Sequence, residues 1–165
     1  MNSELDALVH RSLMSFAAAV LANRWNGRER EAVSEYAFGH LLPQCSTGGV
    51  LFDPTQIGIE VAVPQLDGDG RKLQVCKDLV IWPRPHMTCW DCDGQPTVPP
   101  LAVLEWKTNR ATVFQADVSW LSKFTTDWAA VTGYAVTLDL RRRAFLLSCT
   151  RVQADDVDPH WLLVA

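Results

Sequence analysis

Residues 101–110 read LAVLEWKTNR, an apolar run that ends in an acid and an amine. Alternation along a strand puts Leu101, Val103, Glu105 and Lys107 on one face and Ala102, Leu104 and Trp106 on the other. Both faces therefore look buried until the run reaches Glu105. A strand normally leaves its charges on a solvent side, because a carboxylate or ammonium taken out of water needs a partner. The segments around this strand decide the fold class, and its charged end raises the question of function.

Upstream, Leu5, Leu8, Val9, Leu13, Phe16 and Val20 follow helical spacing within residues 4 to 24. Glu4 and Asp6 stand where a secretory signal would carry positive charge, which favours a core helix of a cytoplasmic protein. RWNG breaks that helix, and a second spans residues 28 to 42, stopped by Pro43. Its apolar face is Ala32, Val33, Tyr36, Ala37 and Leu41, widened by Phe38 and Leu42. Glu35, on the flank of those last two residues, reads as a buried acid. Ile57, Ile59, Val61 and Val63 alternate as a strand, DGDG at 67–70 signals a hairpin turn, and RKLQVCKDLVIWP supplies a second strand. In that strand Cys76, Asp78, Val80 and Trp82 share a face. Five prolines make residues 83 to 100 an irregular loop. After the third strand, Val118, Leu121, Phe124, Trp128 and Val131 mark a helix over residues 115 to 131. GYAVTLDL and RAFLLSCTR then read as two strands joined through RRR, and the tail DDVDPHW reads as surface, with His160 and Trp161 packing back. The order of helix, helix, three strands, helix and two strands implies a single α/β domain over residues 1 to 165, with a central mixed sheet flanked by helices.

Composition is that of a globular protein: 165 residues, 48% hydrophobic, 21% charged and a net charge of −4. That charge argues against a generally basic, nucleic-acid-coating protein but is compatible with a site whose positive charge comes from a metal. No tract is long enough to span a membrane. Seven tryptophans suggest large apolar contacts, including a subunit interface. Five cysteines at irregular spacing do not form a secreted disulfide framework and fit a reducing cytoplasm.

Asp78 poses the same problem as Glu105, since it lies inside VCKDLVIW. The plain explanation is a cross-strand ion pair between Asp78 and Lys107, with Glu105 at an exposed strand end. The functional one is a shared site: two carboxylates suit a hard cation such as Mg2+ or Mn2+, and an ammonium beside it would hold or deprotonate a water.

KDLVI followed by LEWK, with a helical glutamate upstream and a helix–strand–strand tail, resembles the PD-(D/E)XK nuclease superfamily, which has a restriction-endonuclease-like fold. The resemblance covers roughly residues 28 to 150, preceded by the helix at 4 to 24. It implies that Asp78 and Glu105 are metal-binding acids, that the main-chain carbonyl of Trp106 is a further ligand, and that Lys107 is the catalytic lysine. Glu35 would be the helical acid supporting the metal, and Asp117 and Leu121 resemble the acid and apolar positions of the helix after the motif. The family's proline is Lys77 here. The implied activity is Mg2+-dependent hydrolysis of phosphodiester bonds, in DNA or else RNA, by a protein that can form a homodimer. The other reading is a catalytically silent member of the fold that binds nucleic acid or serves assembly.

Lys72, Arg84, Arg110 and the run Arg141, Arg142 and Arg143 could contact phosphates, with Asn109 and Gln115 near the motif; the arginine run is also what a solvated turn looks like. His86, Cys89 and Cys92 are spaced as Zn2+ ligands can be, but a fourth ligand would have to come from Cys45 or Cys76. No G-x-S-x-G or Walker-type phosphate loop occurs.

Overall fold

The computed structural model describes residues 3–65, 73–144 and 146–165. The DGDG turn and Lys72 lie outside the described residues. Helix α1 (Ser3–Leu21) buries Leu5, Leu8, Val9, Leu13, Phe16 and Val20, the stripe its spacing predicts. Helix α2 (Glu29–Glu35) is shorter than the expected 28–42. From Tyr36 to Leu41 the chain continues in the wider π winding, with the Leu42 N–H donating to the Ala37 carbonyl, and a 3₁₀ turn over Leu42–Gln44 ends it at the proline. The change of winding alters which side chains face inward. Tyr36, Ala37, His40 and Leu41 are buried, whereas Phe38 is 61% exposed and does not extend the apolar cover.

Strands β1 (Ile57–Pro64), β2 (Gln74–Ile81), β3 (Ala102–Thr108), β4 (Thr132–Leu138), β5 (Leu147–Gln153) and β6 (Asp156–Val164) form one sheet in that order. Among the described strands only β3 and β4 run parallel, joined through helix α3 (Gln115–Asp127). The molecule is thus α/β with a mixed sheet flanked by helices. Strand β6 corrects the reading of the tail as surface. Its first half faces solvent with charges and Pro159, which an edge strand tolerates because one side of its backbone needs no ladder partner. Trp161 does pack back, against Tyr134 and the edge of His10.

One face of the sheet packs on α1 and α2 through Leu79, Ile81, Leu104, Trp106 and Val136. The other packs on α3 through Val80, Val103, Ala135 and Val152, which meet Val118, Leu121 and Phe124. β1 does not keep one face throughout. Ile57 and Ile59 join the first cluster, but Val61 and Val63 join the second. Between them Glu60 sits at φ 51, and the β1–β2 ladder has rungs at Ile59↔Leu79 and Val61↔Lys77 but none at Glu60 and Asp78. This local twist also turns β2 over. Among the described residues no helix is long and apolar enough to cross a membrane.

Candidate functional site

The site arises where β2 leaves β3. Their ladder has three rungs, from Ile81↔Ala102 to Leu79↔Leu104, while β4 follows β3 as far as Thr108↔Leu138. The last residues of β3 are therefore paired on one edge only. Alternate N–H groups of a strand point to the same edge, so those of Trp106 and Thr108 face the space that β2 vacates. Each is satisfied by a carboxylate. Asp78 Oδ2 accepts from Trp106 N–H at 2.7 Å, and Glu29 Oε2 accepts from Thr108 N–H at 2.9 Å. The N–H of Asn109 points the other way, to the Leu138 carbonyl at 2.7 Å. Asp78 and Glu29 also line a cleft of about 470 Å³ between α2 and β1, with Val33, Ile59 and Glu60.

Glu105 is buried and Lys77 Nζ donates to its Oε1. By plain alternation Lys77 should face the α1 side with Leu79; the twist at Asp78 brings it to the α3 side. There its ammonium lies 3.4 Å from the centroid of the Trp120 ring. Burial pushes the Glu105 carboxyl up to about 7, with Asp78 and Asp117 adding to the rise and Lys77 opposing it. Lys107 Nζ donates to the Trp106 carbonyl at 3.0 Å and lies 3.5 Å from Asp117 Oδ2. Burial alone would lower the Lys107 pKa, but Asp117, Asp78, Glu105 and Glu29 together hold it above its ordinary value. Lys107 is therefore a cation here, suited to donating hydrogen bonds and not to removing a proton. Asp117, in the first turn of α3, is itself raised by burial, against the pull of Lys107 and Lys77.

Asp78, Glu105, Lys107 and the Trp106 carbonyl are thus gathered at one end of β3, electrostatically coupled. The simple Asp78–Lys107 pair with an exposed Glu105 does not occur: Glu105 pairs with Lys77 and Lys107 with Asp117. Glu35 is not part of the cluster. It is half exposed, with Oε1 3.6 Å from His40 Nε2, and it borders a different surface cleft with Trp25 and Phe38. The helical acid that does reach β3 is Glu29, six residues earlier.

The donors suit a hard divalent ion in kind, being two carboxylates and a main-chain oxygen with no sulfur or imidazole. Among the described residues, however, no three His, Cys, Asp or Glu side chains converge to hold a metal on their own. The zinc set is not assembled: Cys89 is buried in the α3-side core with its thiol pushed up to about 12, while His86 and Cys92 are exposed.

Among the basic residues, Arg143 is engaged with Asp139 at 3.0 Å and with the Asn109 carbonyl at 2.7 Å, so it ties the β4–β5 turn to the end of β3. That contact brings exposed Arg141 and Arg142 to the same end of the sheet as Lys107. Asn109 is in the left-handed region at φ 57, and Arg110 lies over the Phe114 ring at 4.8 Å. Arg84 is exposed in the loop after β2, and Gln115 opens α3 beside an apolar groove with Val157 and Leu163. Sequence reasoning passed over Glu29, which looks like an ordinary first-turn acid, and treated Lys77 only as a departure from a motif. No family model, curated protein or solved structure matches the chain.

Proposed function

We propose that the chain is a divalent-metal-dependent nuclease of the PD-(D/E)XK type that hydrolyses phosphodiester bonds in DNA. The observation that carries this reading is the meeting of Asp78, Glu105 and Lys107 at the unpaired end of β3, two acids and an amine drawn to an edge that β2 has left open. Asp78, Glu105 and the Trp106 carbonyl would hold Mg2+ or Mn2+. When bound, the ion supplies charge to polarise the phosphoryl group and to acidify the attacking water. The chain's own contribution is positional. Asp117 and the Trp106 carbonyl hold the Lys107 ammonium where it donates to a phosphate oxygen or to the incoming water, and Arg110, Arg141 and Arg142 extend positive charge along the backbone of the substrate. All five cysteines are free, in keeping with work in a reducing cytoplasm.

The test is cleavage of plasmid and single-stranded DNA with Mg2+ or Mn2+ and with chelator. Cutting should require the metal and fall by roughly 100-fold or more in Asp78→Ala and in Lys107→Ala; cutting that survives both substitutions removes the assignment. One observation favours a second reading. Ammonium groups already sit on Glu105 and on the Trp106 carbonyl, so the cluster is in part self-neutralised, as in a silent module that binds nucleic acid without cutting it. That reading predicts DNA binding by the wild type with no cleavage in either metal.

A further inference from the structure

Lys77 is an unusual occupant of a strand interior. Its side chain and that of Glu105 are each only 7% exposed, and they form an ion pair. The far side of the ammonium is closed by Trp120 at 3.4 Å. That indole is itself fixed: Nε1–H donates to Gln65 Oε1 at 3.0 Å, and the ring stacks on Phe124 with centroids 4.7 Å apart. Lys77 therefore has two resting places for its charge, a carboxylate and an aromatic face, and the second is anchored by its own contacts.

On the nuclease reading above, Glu105 is a ligand of the divalent ion. We propose that Lys77 is a positioning residue, a resident counter-cation that occupies Glu105 Oε1 until a divalent ion takes the carboxylate, and that the Trp120 face retains the ammonium afterwards. The physical basis is charge in a dry place. Glu105 is buried and Asp117 partly so, and the cations that meet them are Lys77 and Lys107. Lys77 supplies the charge partner of Glu105 without a metal. The same ammonium opposes the arrival of a second cation, so it sets the affinity of the site as well as preserving its shape. The cation–π contact lowers the cost of separating Lys77 from Glu105, since the ammonium keeps a favourable partner when the carboxylate turns away.

The experiment is calorimetric titration of Mn2+ into the full chain over a pH series from about 8 upward, for wild type, Lys77→Gln and Trp120→Leu, with thermal unfolding of each as a check on folding. Gln at 77 keeps a polar side chain but carries no charge. Affinities are compared where they no longer rise with pH, so that Glu105 is ionised with or without Lys77. There Lys77→Gln should bind Mn2+ about tenfold more tightly, the order expected for removing one positive charge within a few ångströms at a partly screened site. Trp120→Leu should bind it severalfold more weakly, because the displaced ammonium loses its resting place. A merely structural Lys77 would not move the two affinities in opposite directions. Lys77→Gln affinity equal to or weaker than wild type overturns the inference. If Lys77→Gln fails to fold, a Trp120→Leu affinity that is unchanged or tighter overturns it. Wild type that binds Mn2+ with Lys77→Gln unaltered removes the role of Lys77 alone. Absence of Mn2+ binding in all three proteins removes the metal site and the nuclease reading with it.

Discussion

Glu105 shows how a single buried group makes the stability of the chain depend on pH. Burial holds its folded pKa at about 7, above the ordinary 4.5. The folded state therefore keeps the proton more tightly than the unfolded one. The stabilisation this gives is complete below about pH 4.5 and is lost as pH rises through about 7. Burial of Asp117 acts in the same direction, whereas burial of His40, which lowers its pKa, acts in the opposite one. The Glu105 part is isolated by comparison with Glu105→Gln. Between about pH 5 and 7 the wild type should lose stability relative to that variant, by at most about 1.4 kcal/mol per pH unit, as measured by urea unfolding at each pH. A difference that stays flat over that interval refutes the protonated carboxyl. Lys107 and Glu105 were legible as residues out of place in an apolar strand, because burying charge is costly enough to stand out against any pattern. Lys77 was not, since strict alternation assigns it to the opposite face, and only the unpaired rung at Glu60 and Asp78 brings it round.

At the scale of elements, regular periodicity was readable and changes of period were not. The stripe of α1 and the alternation of β3 follow from spacing alone. Helix α2 misled because its phase is fixed only to Glu35; the π winding that follows carries Phe38 outward, and Glu35 faces solvent and His40 and borders a different cleft from Asp78. β6 was invisible because its charged, proline-containing half shows solvent on its outer edge, the signature of a loop as much as of an edge strand. The packing of α3 on β4 rests on the absence of a side chain at Gly133. A Cβ there would lie 3.0 Å from both Cβ and Cδ2 of Leu121, and the latter's main-chain-proximal atom has little room to yield. Gly133→Val should therefore lift α3 from the sheet and cost roughly 1–3 kcal/mol, visible as a lowered unfolding midpoint. Because Asp117 and Trp120 travel with α3, the same variant should weaken Mn2+ binding; normal stability and normal binding together would show that α3 does not bear on Gly133.

At the scale of the whole molecule, the first helix is joined to the last strands by a buried ionic contact. Asp6 accepts from Arg151 Nε at 3.0 Å and 3.1 Å through its two oxygens, and from the Tyr134 hydroxyl at 2.6 Å. The Arg151 side chain is only 6% exposed. Asp6→Ala leaves that guanidinium buried without its main partner, which should cost roughly 3–5 kcal/mol in urea unfolding. A loss below about 1 kcal/mol would mean that the pair behaves as a surface ion pair.

The sheet order β1-β2-β3-β4-β5-β6 repeats the order of the chain. Every strand thus finds its neighbour among the residues made just before it, and loop closure for each pairing spans a short stretch. During synthesis from the N-terminus the sheet can grow one strand at a time as the polypeptide emerges. Helix α1 is the exception: it is made before every strand of the sheet, yet its polar anchor to Arg151 lies 145 residues away. Until β5 has been translated, the Leu5–Val20 stripe has only part of its final cover. This protein should accordingly need a chaperone most at α1, and ribosome-bound chains truncated before Arg151 should be cut by protease within α1 while the β1–β4 region is already protected.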